Sequence, residues 1–259
     1  MSYNTSLNQV VYDFTNKESK GAFLTKVFGM MFLCLLITTV IAAGFGYGFQ
    51  YLLKATATID GDKIVLNSSL LYGLVGTLIV CSIALLVMSF VLPITFIRGR
   101  HNILVPLMIY VVIMGILLST FTFLFDWVIL VESFGITAII FGIMALLGYI
   151  SKGRLTGIGF ILLGLIGGAA MLSLVNWVMI LIGGVQPQNV ALSWIVSLAV
   201  FAFLMLITFY DVNRIKRIAE TGATNDNNLV YYCSYILFTD FISILIRVIY
   251  YVAIFSRRR

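Results

Sequence analysis

Seven stretches of apolar or small residues divide the chain, running from about Phe23 to Phe49, Leu70 to Ile97, Leu104 to Phe125, Phe134 to Ile150, Leu155 to Ile182, Val190 to Tyr210 and Val230 to Phe255. A helix needs about 17–25 such residues to cross a hydrocarbon core, so each stretch reads as a span. Between them lie short polar links: Gln50 to Ser69 with a turn signal at Asp60-Gly61, the group Arg98, Arg100 and His101, the acidic pair Asp126 and Glu132, then Lys152 and Arg154, Gly183 to Pro187, and Asp211 with Arg214, Lys216 and Arg217. Pro93 is expected to kink the second span or end it early. The pattern predicts an all-α polytopic membrane protein of seven transmembrane helices: a polar tail over residues 1–21, then a single domain over 22–259.

Composition agrees. Hydrophobic residues make up 61% of the chain and charged ones 10%, which is more apolar surface than one soluble core hides. The first apolar segment is too long for a cleavable signal and reads as the first span. Cys34, Cys81 and Cys233 each fall in a span without CxxC or Cys/His grouping, and His101 is the sole histidine, so neither a disulfide framework nor a histidine-based metal site is expected. The net charge of +6 is what cytoplasmic loops supply and calls for no nucleic acid.

Basic residues concentrate in the second-to-third, fourth-to-fifth and sixth-to-seventh links, while the third-to-fourth is acidic. By the positive-inside rule the N-terminus is cytoplasmic. Seven crossings then carry Arg257, Arg258 and Arg259 to the far side, against the same rule; a short or re-entrant last helix is the alternative to a true span. The short tails suggest a bacterial plasma membrane, with an organelle membrane as the other setting.

The candidate chemistry lies in two embedded acids. Asp240 and Arg247 are seven positions apart inside the last span and share a helix face, about 10 Å apart along the axis. A charge at such depth is costly, which makes it a functional hypothesis by default. Asp211 lies near the end of the sixth span, whose helix is expected to continue to about Ile218. Antiparallel neighbours joined by a short loop bring Asp211 and Asp240 to similar depth. Two carboxylates in a low-dielectric site cannot both ionise cheaply and titrate as a unit, and once deprotonated they suit a hard cation such as calcium. The plainer reading has Asp211 near Arg214 and Asp240 paired with Arg247.

These residues carry a resemblance to the Bax inhibitor motif family of transmembrane proteins. Leu237-Phe238-Thr239-Asp240-Phe241-Ile242-Ser243 resembles its Leu-Tyr-Leu-Asp-Phe-Ile-Asn signature, and Tyr210-Asp211 through Ile215-Lys216 resembles its Tyr-Asp-x-x-x-Ile-Lys ending. The resemblance extends from the first span to the last, including the segment Gly148 to Gly164. It implies six helices surrounding a central seventh and a pH-sensitive calcium leak with Asp211 and Asp240 as sensor. It further implies links to cell-death or membrane-stress control. It also implies a basic latch for Asp211 at the end of the second span, for which Arg98 and Arg100 are the candidates; Arg247 is an additional candidate partner for Asp240, which would lower its proton affinity and shift the gating pH. Phe238, Thr239 and Ser243 depart from the signature, and Met88 and Ser89 stand where some relatives carry an acid.

Two other functions compete. An interaction protein would restrain a membrane-bound protease or a stress partner without ion flux. An intramembrane aspartyl protease needs Gly-x-Gly-Asp, and Leu237-Phe238-Thr239 precedes Asp240 instead, so no enzyme is expected. No cofactor motif appears; calcium enters only as permeant or bound ion, and the partners expected are the lipid bilayer, calcium and a membrane protein. Gly44 to Gly48, Gly153 to Gly157 and Gly164 to Gly168 have GxxxG spacing suited to close helix packing, and Trp127, Trp177 and Trp194 suit interfacial anchors.

Overall fold

A computed structural model of the chain describes residues 17–56, 58–60, 63–65, 68–98, 102–151, 190–220 and 227–256. Its helices are α1 (Lys17–Ala55), α2 (Ser68–Arg98), α3 (Leu104–Leu124), α4 (Trp127–Ile150), α5 (Val190–Glu220) and α6 (Asn227–Ser256). In hydrocarbon every backbone N–H and C=O must be satisfied within the segment, so apolar runs of this length become helices. All 6 are long and apolar enough to cross a membrane. The α5 and α6 helices correspond to the sixth and seventh predicted spans. The fifth, Leu155 to Ile182, lies outside the described residues, as do Trp177 and the GxxxG pairs at Gly153 and Gly164.

Three boundaries differ from the expectation. The loop after α1 holds a small hairpin, β1 (Thr58–Asp60) paired antiparallel with β2 (Lys63–Val65), so among the described residues the regular structure is all helical apart from two three-residue strands. The α2 helix runs through Pro93 to Arg98 rather than ending early. The α4 helix starts at Trp127, about two turns before Phe134, with Asp126 at its N-cap and Glu132 exposed on its flank. A membrane helix tolerates a charge there because its first turns lie near the headgroups.

The α6 helix holds the centre. It is the most buried of the described helices, through Cys233, Ser234, Leu237, Phe238, Phe241, Ile242, Ile244, Leu245 and Val248, and it packs against each of the others. An all-round apolar helix belongs inside a bundle. By contrast α2 exposes Ile79, Val80, Ile83, Phe90 and Ile97, a surface that only lipid covers cheaply.

Side-chain contacts fix the ends of the bundle. At one end the Ile103 N–H donates to Asn228 Oδ1 at 3.2 Å, and Ser234 Oγ donates to the Val27 carbonyl at 2.9 Å. The C-terminal turns of α4 and α5 lie there too, and with Arg214, Lys216 and Arg217 it is the basic end. At the other, Gln50 Nε2 donates to the Thr122 carbonyl at 2.7 Å, and the end of α6 at Ser256 lies beside Asp126; this is the acidic end. The 30 residues of α6 therefore run from one end of the bundle to the other, about 45 Å at 1.5 Å per residue. Ser151, which closes α4, and Val190, which opens α5, lie at opposite ends.

Close helix approach depends on glycines other than those the spacing suggested. A Cβ at Gly115 would fall 2.8 Å from the Ile41 side chain and 3.1 Å from the Thr38 carbonyl, and one at Gly46 would overlap Thr122. Nothing lies within 4 Å of such an atom at Gly44 or Gly48. The α1–α3 contact runs along Gly46, a stripe away from the GxxxG pair.

Candidate functional site

The α6 residues Asp240, Arg247 and Tyr251 are spaced seven and four apart, so they share one stripe. Its direction is set near the acidic end, where Tyr251 OH and Ser197 Oγ are 2.9 Å apart and the Tyr251 and Phe201 rings meet edge to face at 5.5 Å. The stripe therefore faces α5. On α5 the matching stripe is Ser197, Phe201, Leu204, Thr208 and Asp211, at intervals of four and three.

Asp211 and Asp240 consequently face the same seam, near enough for the charge of Asp211 to act on Asp240. Asp240 is only 8% exposed, and its Oδ2 is buried with no hydrogen-bond partner. An unpaired buried oxygen is costly and native structures seldom keep one without a reason. Asp211 is half-buried, and the guanidinium of Arg214, one turn further along α5, acts on it. The influence of Arg214 and Asp211 reaches Tyr232 and Cys233 of α6, which places this end of the seam against the first turns of α6.

Among the described residues no ion pair joins Arg247 to Asp240, although they share a stripe, since a seven-residue rise of about 10 Å exceeds the reach of the pair. Arg98 is the last residue of α2 with its side chain undescribed, and Arg100 lies outside the described residues, as does His101. Arg214 is thus the described guanidinium beside Asp211.

The depth of Asp211 is set by a clamp that its own neighbours make on α4. Asn213 Nδ2 donates to the carbonyls of Gly148 and Ser151, both at 3.1 Å, and Lys216 Nζ donates to the Ser151 carbonyl at 3.2 Å. The last carbonyls of a helix have no partner inside it, and here α5 side chains supply one. Arg217 Nε donates to Asn213 Oδ1 at 3.0 Å and orients the amide, while Lys216 lies 5.4 Å over the Tyr149 ring. The clamp requires Gly148, because a Cβ there would fall 2.6 Å from the Phe209 carbonyl. Asn213 was hidden in the sequence by its basic neighbours, which read as a solvated helix end.

On its α4 side the last span presents Phe241, set between Phe134 at 5.4 Å and Phe141 at 5.5 Å. Asp240 therefore sits beside an aromatic layer. Among the described residues no group of three or more His, Cys, Asp or Glu side chains converges, so a calcium ion at the pair would meet two carboxylates and keep much of its water.

A bundle of spanning helices with a buried acid on its central member defines an integral membrane protein. The chain belongs to the family described as inhibitor of apoptosis-promoting Bax1, whose model matches residues 20–257. It is similar to the inner membrane protein YbhL of Escherichia coli, in strain K12 and in strain CFT073, at 27% identity over 241 residues, which covers 92% of each chain.

Proposed function

We propose that the protein is a pH-sensitive calcium leak pathway gated by protonation of Asp211 and Asp240. The observation that carries this reading is Asp240 Oδ2, buried without a partner on the central helix and within electrostatic reach of a second carboxylate. An acid held this way has no structural employment, and its charge state alters the balance between the two helices that bear the pair. In this reading the N-terminus is cytoplasmic, the fifth span completes a ring of six around α6, and the residues from 22 onward form one domain. The setting is a bacterial plasma membrane, in keeping with an inner-membrane relative. Calcium is the cargo rather than a resident cofactor.

The test is calcium entry into dye-loaded proteoliposomes between about pH 6 and 8, the range in which a coupled carboxylate pair can titrate. A pH-dependent leak whose pH response is lost or displaced in Asp211→Asn and Asp240→Asn supports the reading. Folded protein that passes no calcium at any pH removes it and leaves the interaction protein, for which recovery of a stoichiometric membrane partner is the positive sign.

A further inference from the structure

Toward the basic end the α5–α6 seam holds the two aspartates. Its acidic half, from Asp240 to Tyr251, carries Arg247 among apolar neighbours such as Phe201, Leu204 and Ile244. At 1.5 Å per residue Arg247 stands about 10 Å from Asp240 and about 6 Å from Tyr251 along the axis. The Tyr251–Ser197 contact at 2.9 Å ties the seam just outside it. Because α5 runs antiparallel, Phe201, one turn past Ser197, lies at the level of Arg247. Anything that moves along the seam between Asp240 and the acidic end therefore passes this guanidinium.

The direction of Arg247 follows from its neighbours. Each residue turns a helix by about 100°, which sets Ile246 and Tyr250 on one flank of Arg247 and Asp240 and Tyr251 on the other. Ile246 and Tyr250 are 37% and 49% exposed and mark the outward edge of α6. Arg247 is half-buried between that edge and the seam. Among the described residues no hydrogen bond or ion pair engages its side chain. The carboxylates of this end, Asp126 and Glu132, line a cavity with Val252 and Phe255, on the α4 flank of the helix. Arginine keeps its charge at any ordinary pH, and a charge inside a spanning helix marks an ion or water path.

We propose that Arg247 is the charge barrier of the seam, the residue that sets how strongly the path to Asp240 discriminates against divalent cations. Its path is the one the leak reading supplies. A fixed positive charge beside a narrow path excludes cations electrostatically. The energy of an ion near that charge is proportional to the ion's own charge, so calcium meets twice the barrier that potassium meets. Looser packing would admit both ions alike. Valence dependence is thus the signature of charge, and Arg247 sets the ion preference while the aspartates set the pH response.

The experiment measures calcium and potassium entry into dye-loaded proteoliposomes at one pH for the native chain, Arg247→Gln and Arg247→Lys. Removing the charge is expected to raise potassium entry about threefold and calcium entry about tenfold, the square of the first factor, since the barrier doubles with valence. Arg247→Lys keeps the charge and is expected to retain the native ratio of the two fluxes. A potassium rise in Arg247→Gln that matches or exceeds the calcium rise, no rise in either, or a lysine variant that behaves like the glutamine one overturns the barrier and leaves the leak reading standing. Where the native chain passes no calcium the leak reading falls, and Arg247→Gln then decides the barrier by itself: calcium entry in that variant upholds it, and a tight variant overturns it.

Discussion

Asp211 and Asp240 face one another across the α5–α6 seam with no hydrogen bond between them, and Asp240 Oδ2 has no partner at all. Asparagine mimics the neutral acid, so each single substitution fixes one site as protonated. Calcium flux in Asp240→Asn is expected to become flat in pH, at the level the native protein reaches at its acidic limit. Flux through proteoliposomes across the pH range reads this directly, and a variant that keeps the native profile removes Asp240 from the sensor.

The same unpaired oxygen makes Asp240 costly to the fold. Replacing it by leucine, apolar and of similar reach, removes a buried unsatisfied group worth about 1–3 kcal/mol. Thermal unfolding in detergent is expected to show Asp240→Leu more stable than the native chain while its flux loses pH control. A large loss of stability would mean that the carboxylate has a structural partner.

Arg247 shares the Asp240 stripe but forms no ion pair with it among the described residues. The pH midpoint of flux in Arg247→Gln is expected to stay at the native value, whereas a shared ion pair would displace it markedly on removal. The comparison of the two pH profiles is sufficient.

Gly148 and Asn213 hold α4 against α5 at the depth of the acid on the latter. Gly148→Ala places a Cβ 2.6 Å from the Phe209 carbonyl, a backbone atom that cannot step aside, so a loss of about 1–3 kcal/mol is expected from overpacking. Asn213→Ala removes two hydrogen bonds to helix-end carbonyls, at roughly 1 kcal/mol each. Gly44→Ala is the control: it faces open space and is expected to be neutral or stabilising, because alanine favours a helix over glycine by about 1 kcal/mol. Melting temperatures in a single detergent rank the three.

The crossing of α6 predicts opposite labelling of its ends. Cys34, Cys81 and Cys233 are buried, so single cysteines placed at Asn227 and Ser256 stand out against a low background. A membrane-impermeant maleimide applied to intact cells is expected to reach one of them and not the other. Equal labelling from one side would make the helix re-entrant.

The helices were legible because a hydrocarbon solvent leaves an apolar run one secondary structure, and the similar depth of Asp211 and Asp240 followed from counting residues on antiparallel neighbours. The extension of α5 through Arg214 and Lys216 to Glu220 was legible in the same way. What spacing did not encode was which face meets which neighbour. Gly46 rather than Gly44 touches α3 because the partner stripe lies there, and a glycine pattern on one helix holds no information about the other. Asn213 looked like part of a solvated basic run, since its function depends on the carbonyls of a helix some sixty residues earlier. Glu132 marked a link by its charge but is a flank residue of α4, because charge reports proximity to water rather than the end of a helix.

The α6 helix follows the other five described helices in the chain, yet it is the one they all pack against. A ribosome therefore delivers the periphery before the centre, and the earlier helices wait in the bilayer with their inner faces uncommitted. Biogenesis becomes a docking problem decided in its final step. The buried acid, the element hardest to place in lipid, arrives when a protein lining is already there to receive it.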